Sequence, residues 1–237
     1  MNVYEIKKLR DQRFIFTDRR EAGVKLASLI NSEWGTVKNG IILAIPSGGV
    51  PVGMAVSEKL DLPLDLAIVR KLQIPGNPEA GFGAMTLDGS VFINEPLLRE
   101  IKLNKSQIDE EKKRVLKELI SRNRLFREGR PFPSLKGKRV IIVDDGIASG
   151  YSMLASVHMA KEHAAFKTIV AVPTAPMRSI EKLQSEVDAV FCLNIRTAPY
   201  FAVAEAYRHW YDLSPEAVLE LIGGSTLLSR GSGAKEK

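Results

Sequence analysis

At 237 residues and 45% hydrophobic content, the chain is long enough for one large domain with a substantial core and too short for two comfortable ones. A single cysteine, Cys192, excludes an internal disulfide and a cysteine-based metal cluster, and it reads as a small buried strand residue. The formal net charge of +6 favours anionic partners, whether nucleic acid or phosphorylated metabolites, or serves solubility alone.

The opening MNVYEIKKLRDQR has no apolar signal core, and no later run reaches the roughly 20 apolar residues that cross a bilayer, so a soluble, cytoplasmic protein is expected. Thr17-Asp18-Arg19-Arg20-Glu21 starts a helix, with Asp18 as cap, Glu21 completing a capping box, and Ala22, Leu26, Leu29 and Ile30 as its apolar face. A buried strand follows over 41–45, then the break Pro46-Ser47-Gly48-Gly49-Val50-Pro51, a returning helix over 52–60 and a second strand over 64–69. Residues 71–83, KLQIPGNPEAGFG, are dense in proline and glycine and predict a mobile surface loop, in which Glu79 has no assigned role. Asp88-Gly89 between two short strands is a hairpin signal, so the loop sits at the base of a two-stranded arm. Asn94-Glu95-Pro96 begins a short helix, and residues 106–127 form a long charged one. Its mixed signs mark a solvated face rather than a nucleic-acid stripe. Strands over 139–143, 168–172 and 189–193 then alternate with helices over 151–163 and 176–183. An aromatic-rich segment follows Pro199, in which Tyr207, Trp210 and Tyr211 are expected to pack the last helix, capped at Ser214, onto the sheet. This alternation predicts an α/β fold: one domain with a mainly parallel twisted sheet and helices on both faces.

The stretch RVIIVDDGIASGYSM runs a buried strand into Asp144 and Asp145 and then into small and hydroxyl residues ahead of a helix. Ligands of open parallel sheets bind at the carboxyl edge, where both acids lie. Free amides at the following helix N-terminus attract anions, small residues let them approach closely, and Ser149 and Ser152 add hydroxyls. Two carboxylates beside such a cup would repel a phosphate unless they faced another part of the ligand, such as the vicinal hydroxyls of a sugar. A ribose 5-phosphate unit meets both demands. A purely structural reading would pair the acids with Lys136 or Lys138; the loop behind them favours the ligand.

VIIVDDGIASGYS resembles the 5-phosphoribosyl-1-diphosphate (PRPP) signature of the type I phosphoribosyltransferases, departing from it at Gly146, Ser149, Tyr151 and Ser152. The resemblance spans about residues 18–211 and is greatest with bacterial and archaeal phosphoribosyltransferase-domain proteins of undefined acceptor. It implies the type I fold with a hairpin arm and a small hood, a domain over 1–222 with core 18–195 and hood 196–222, and a flexible tail over 223–237. By the same resemblance Gly146, Ile147, Ala148, Ser149, Gly150, Tyr151 and Ser152 hold the 5-phosphate. Ser47, Gly48 and Gly49 cradle the pyrophosphate with Arg70 and Lys71, and Asp144, Asp145, Arg70 and Lys71 form the catalytic group. Mg²⁺ would arrive on PRPP, with no direct protein ligand and at most water-mediated contact to Asp144 and Asp145.

The resemblance implies transfer of the phosphoribosyl group to a nitrogen acceptor, a purine-like base, stacked on Tyr200 or Phe201, as in nucleotide salvage. The alternative is a PRPP-sensing regulator that binds nucleic acid or a partner protein. Arg70, Lys71 and the lid-like loop favour the enzyme, and nucleic acid is not the expected partner. A homodimer is compatible with the resemblance. His158, His163 and His209 show no metal-ligand spacing, and the glycine-rich turns match neither the dinucleotide nor the P-loop pattern, which sets aside kinase and dehydrogenase readings.

Overall fold

The runs GIILA, RVIIV and TIVAV are apolar at nearly every position, and strands of that kind need cover on both faces. The computed structural model describes residues 2–128 and 130–223, leaving aside the side chains of Pro78 and Glu79, and provides that cover. A six-stranded sheet places β1 (Asn2–Glu5) at one edge, then β9 (Ala189–Arg196), β8 (Lys167–Pro176), β7 (Arg139–Val143), β2 (Gly40–Ala44) and β3 (Leu64–Leu66). All neighbours are parallel. Ile42 and Ala44 share a core with Leu26 and Ile30 of α1 (Arg19–Trp34) and Val52 and Val56 of α2 (Gly49–Leu60). Ile41 and Leu43 face the other way, onto Leu154 and Val157 of α5 (Tyr151–Glu162) and Ile180 and Leu183 of α6 (Met177–Gln184).

Two expectations about the middle of the chain need correction. The strand predicted over 64–69 stops at Leu66, and β4 (Val69–Ile74) leaves the main sheet to join β5 (Asn77–Thr86) and β6 (Val91–Ile93) in a separate antiparallel sheet. The predicted mobile loop over 71–83 is therefore the β4–β5 hairpin. Its proline and glycine content hid the apolar positions that hold it down: Leu72 and Phe82 are fully buried beside Val115 and Leu119 of α4 (Lys105–Arg127). Glu111 of α4 also accepts the backbone N–H of Gln73 at 2.7 Å. The Asp88-Gly89 turn forms as expected, with Gly89 at φ +90°. Asn94 and Asn104 cap α3 (Glu95–Ile101) and α4.

The C-terminal strands run further than predicted. Strand β8 continues through Pro173 to Pro176 because its neighbour β7 ends at the Val143–Ala171 pair, so beyond that point one side of β8 demands no donors. The segment expected as a hood, residues 196–222, is joined to the start of the chain. Phe16 bridges to Tyr207, and the amides of Phe14 and Phe16 donate to Glu205 and Ala206 carbonyls, so residues 14–17 pair with this segment. The N-terminal strand β1 was not anticipated, since four residues flanked by charges give little periodicity. Helix α7 (Pro215–Gly223) is the last described element, with Ser214 Oγ accepting from the Ala217 amide; of the expected tail over 223–237, residues 224–237 lie outside the described set. Among the described residues no helix is long and apolar enough to cross a membrane.

Candidate active site

Strands β2 and β7 are neighbours in register, with Ala44 opposite Val143, so the loops that follow them emerge side by side at the carboxyl edge. They interlock closely. A Cβ on Gly48 would lie 2.0 Å from Asp145 Oδ2, and one on Gly49 would lie 2.8 Å from the Val143 carbonyl oxygen. Only glycines let the Ser47-Gly48-Gly49 turn press against the acid pair. The Pro46–Ser47 peptide is cis.

Neither lysine near the acids in sequence is their counter-ion. Asp145 is buried and its Oδ2 accepts from Arg19 Nε at 2.8 Å, across 126 residues of chain. Arg19, 5% exposed, also donates from Nη1 to the Tyr211 carbonyl at 2.8 Å, and its guanidinium carbon lies 4.0 Å from the Trp210 ring centroid. Tyr207 closes the group by donating its hydroxyl to the Asp145 carbonyl. The aromatic residues expected to pack the last helix thus also wall in a cation. Sequence reading missed Arg19, although a cation in the first turn of α1, where the helix dipole disfavours positive charge, was a signal that it had another partner.

Asp144 Oδ1 accepts the Asp145 amide at 2.8 Å. Burial and the neighbouring Asp145 charge push the Asp144 carboxyl well above its ordinary range. Burial also raises Asp145, opposed by the Arg19 guanidinium that bonds it. Arg19 thus matches the charge of Asp145, while burial and that neighbouring charge disfavour ionisation of Asp144.

In the loop after the acids, Ile147 is a buried anchor whose amide donates to the Thr174 carbonyl at 3.0 Å, so that N–H is already engaged. Ser179 Oγ holds the Ala148 carbonyl at 2.7 Å. Gly150, at φ +84°, caps α5 and turns the chain so that the amides of Ala148, Ser149, Gly150, Tyr151 and Ser152 have no protein acceptor among the described residues. That is a ready anion cup. Tyr151 leans away from it, stacking on Phe92 and accepting from Asn94 Nδ2. Gly146 stands where a larger residue would collide: its Cβ would lie 2.5 Å from Val203 Cγ1, which brings the hood onto this loop.

The expected basic pair is divided. Arg70 faces α4 and pairs with Glu118 at 3.2 Å. Strand alternation sends Lys71 to the opposite face, where its stem covers Gly81. Arg122 of α4 places Nη2 3.5 Å from Ser47 Oγ. Of the two aromatic residues expected at an acceptor, Tyr200 is 87% exposed, while the Phe201 ring lies 5.8 Å from the Arg196 guanidinium carbon. Cys192 is fully buried, and burial pushes its thiol up to about 12. Among the described residues no group of three or more His, Cys, Asp and Glu side chains gathers into a metal site.

Residues 18–210 match the family described as "Phosphoribosyl transferase domain". Two Mycobacterium tuberculosis proteins, from strains CDC 1551 and H37Rv and provisionally named phosphoribosyl transferases, are each 36% identical over 208 residues. The alignment takes in 88% of this chain but 46% of theirs, so the chain spans less than half the length of these relatives. The crystal structure of TT1426 from Thermus thermophilus superposes with a TM-score of 0.74 at 31% identity, covering 94% of this chain and 100% of that one. The acid pair and the glycine turn fall within the matched stretch, and the chain belongs to the phosphoribosyl transferase domain family.

Proposed function

We propose that this protein transfers the 5-phosphoribosyl group from PRPP to a nitrogen heterocycle, a purine-like base, and releases pyrophosphate. The observation that carries the reading is the contact between Gly48 and Asp145, which sets two anion-suited loops on either side of one partly neutralised acid pair. In this reading the amides and hydroxyls of Ser149, Gly150, Tyr151 and Ser152 seat the 5-phosphate, Asp144 and Asp145 accept from the ribose diol, and Ser47 and Gly48 with Arg70 receive the pyrophosphate. Lys71 lies on the other face of β4, with its stem over Gly81.

The reaction breaks the C1–O bond of the donor, and its electron pair departs with pyrophosphate. The acceptor nitrogen's lone pair forms the C1–N bond, and its proton passes to solvent or to the pyrophosphate. Charge builds on the leaving group while C1 turns cationic, so donors aimed at the pyrophosphate lower the barrier and the acid pair holds the sugar in place. Mg²⁺ carried by PRPP would neutralise leaving-group charge, and Asp144 and Asp145 would contact it at most through water. Val203, packed over Gly146, and the ring of Phe201 would supply an apolar wall for a flat acceptor in this reading.

The test is a panel of nucleobases and related heterocycles incubated with Mg–PRPP, reading pyrophosphate release. Turnover with at least one base, lost in Asp145→Asn without unfolding, is expected. Wild-type turnover in that variant counts against the assignment. Donor binding with no release for any base, together with salt-sensitive affinity for RNA or DNA, would instead favour a PRPP-sensing regulator.

A further inference from the structure

Sequence alone presents α4 as a solvated, salt-bridged helix, and its outer residues fit that description: Arg114 bonds Glu111 and Glu118 on exposed turns. Arg122 does not. It is half-buried, with its guanidinium 5.3 Å from the Phe126 ring, and it turns inward to the cis turn at Ser47.

Other arginines buried in this protein find strong acceptors. Arg127 bonds Asp65 and the Pro131 carbonyl, Arg19 bonds Asp145 and the Tyr211 carbonyl, and Arg196 bonds Glu205. Arg122 has only the Ser47 hydroxyl, at the outer limit of a hydrogen bond, and no carboxylate among the described residues pairs with it. Arg70 stands close enough that its charge, after burial, depresses the Arg122 guanidinium below its ordinary range, with Glu118 acting in the opposite sense. Glu118 is shared between Arg70 and Arg114. Two cations thus converge beside the Ser47 turn with one divided counter-charge between them. A partly desolvated site with excess positive charge and unfilled guanidinium donors suits an anion with several oxygens.

Resting on the transferase reading above, we propose that Arg122 is a third leaving-group ligand, which with Arg70 and the Ser47 turn binds the diphosphate of the donor and of free pyrophosphate, and that Glu118 is the counter-charge the diphosphate displaces. The ligand class is a vicinal diphosphate rather than a monophosphate, because the monophosphate cup lies at the α5 N-terminus, on the other side of the acid pair. The inference also gives α4 a task. It carries a cation from the arm sheet to the first core loop, so that leaving-group binding ties the two parts together.

Calorimetric titration of the full chain, in Mg²⁺ buffer, with inorganic pyrophosphate, PRPP and ribose 5-phosphate tests it. Arg122→Gln is expected to weaken pyrophosphate and PRPP by about 10- to 100-fold while leaving ribose 5-phosphate within about twofold, since a charged hydrogen bond is lost at one end of the ligand only. Arg122→Lys should recover part of the loss, and Glu118→Gln should tighten pyrophosphate several-fold by removing a competitor. Arg124→Gln, on the exposed side of the same helix, should match the wild type. Unchanged pyrophosphate affinity in Arg122→Gln, or equal loss for all three ligands as a merely structural role would give, overturns the proposal. A wild type that binds none of the three overturns the transferase reading and this one with it, whereas a wild type that binds PRPP beside an unaffected Arg122→Gln overturns this one alone.

Discussion

Arg19 Nε donates to Asp145 Oδ2 at 2.8 Å while the Trp210 ring covers the guanidinium face at 4.0 Å. This contact joins the first turn of α1, the end of β7 and the C-terminal hood at one buried point. It also explains how an acid pair sits beside loops built for anions: one of its two charges is already matched inside the protein.

Removing the cation leaves Asp145 buried without a partner. Arg19→Gln is expected to cost about 3–5 kcal/mol, the usual penalty for breaking a buried ion pair from one side, and urea denaturation would measure it. Arg19→Lys should recover little, because a compact ammonium cannot bond Asp145 and the Tyr211 carbonyl while stacking on Trp210.

Asp144 has a raised folded-state pKa, caused by burial and by the charge of Asp145. An acid raised on folding contributes stability that is fully present below its unfolded value, about 3.9, and lost as pH rises through the folded value. Asp144→Asn should therefore be more stable than wild type at neutral pH, by on the order of 1 kcal/mol or roughly 2–4 °C in Tm, with the advantage vanishing below about pH 4. Transferase activity should fall sharply in the same variant. Thermal melts at several pH values check the sign, and a variant less stable than wild type at about pH 7 would contradict it.

Gly48→Ala inserts a methyl 2.0 Å from Asp145 Oδ2. Either the turn or the carboxylate must move, and an ångström of misplacement at a reacting centre costs roughly 100-fold. The expected result is that loss in kcat/KM for PRPP with an unaltered far-UV spectrum, because α2 begins one residue later and keeps its buried face.

Phe201→Ala tests the acceptor wall. If a flat base lies on this ring, the KM for the acceptor should rise roughly 2- to 12-fold while donor affinity stays constant. An equal rise for both substrates would mark the ring as a support for Arg196 instead.

The parts legible in sequence are those governed by neighbours along the chain. The apolar runs of β2, β7 and β8, the Asp18 cap, the Asp88-Gly89 turn and the loop from Asp144 to Ser152 each declare themselves within a few residues. The hairpin of β4 and β5 did not, because its glycines and prolines resemble a loop until α4 covers Leu72 and Phe82. The division of Arg70 from Lys71 follows from that same strand, since adjacent residues of a strand point to opposite faces.

By itself, then, the sequence determined an α/β chain with an acid pair and two anion-suited turns at strand ends, because period, capping and turn chemistry are local properties. Only the tertiary structure decided which cation neutralises Asp145, which glycine presses against it and which arginine of α4 reaches the Ser47 turn. Those pairings join residues as much as 126 positions apart, and electrostatic and steric complementarity at that range exists only once the sheet has set the loops side by side.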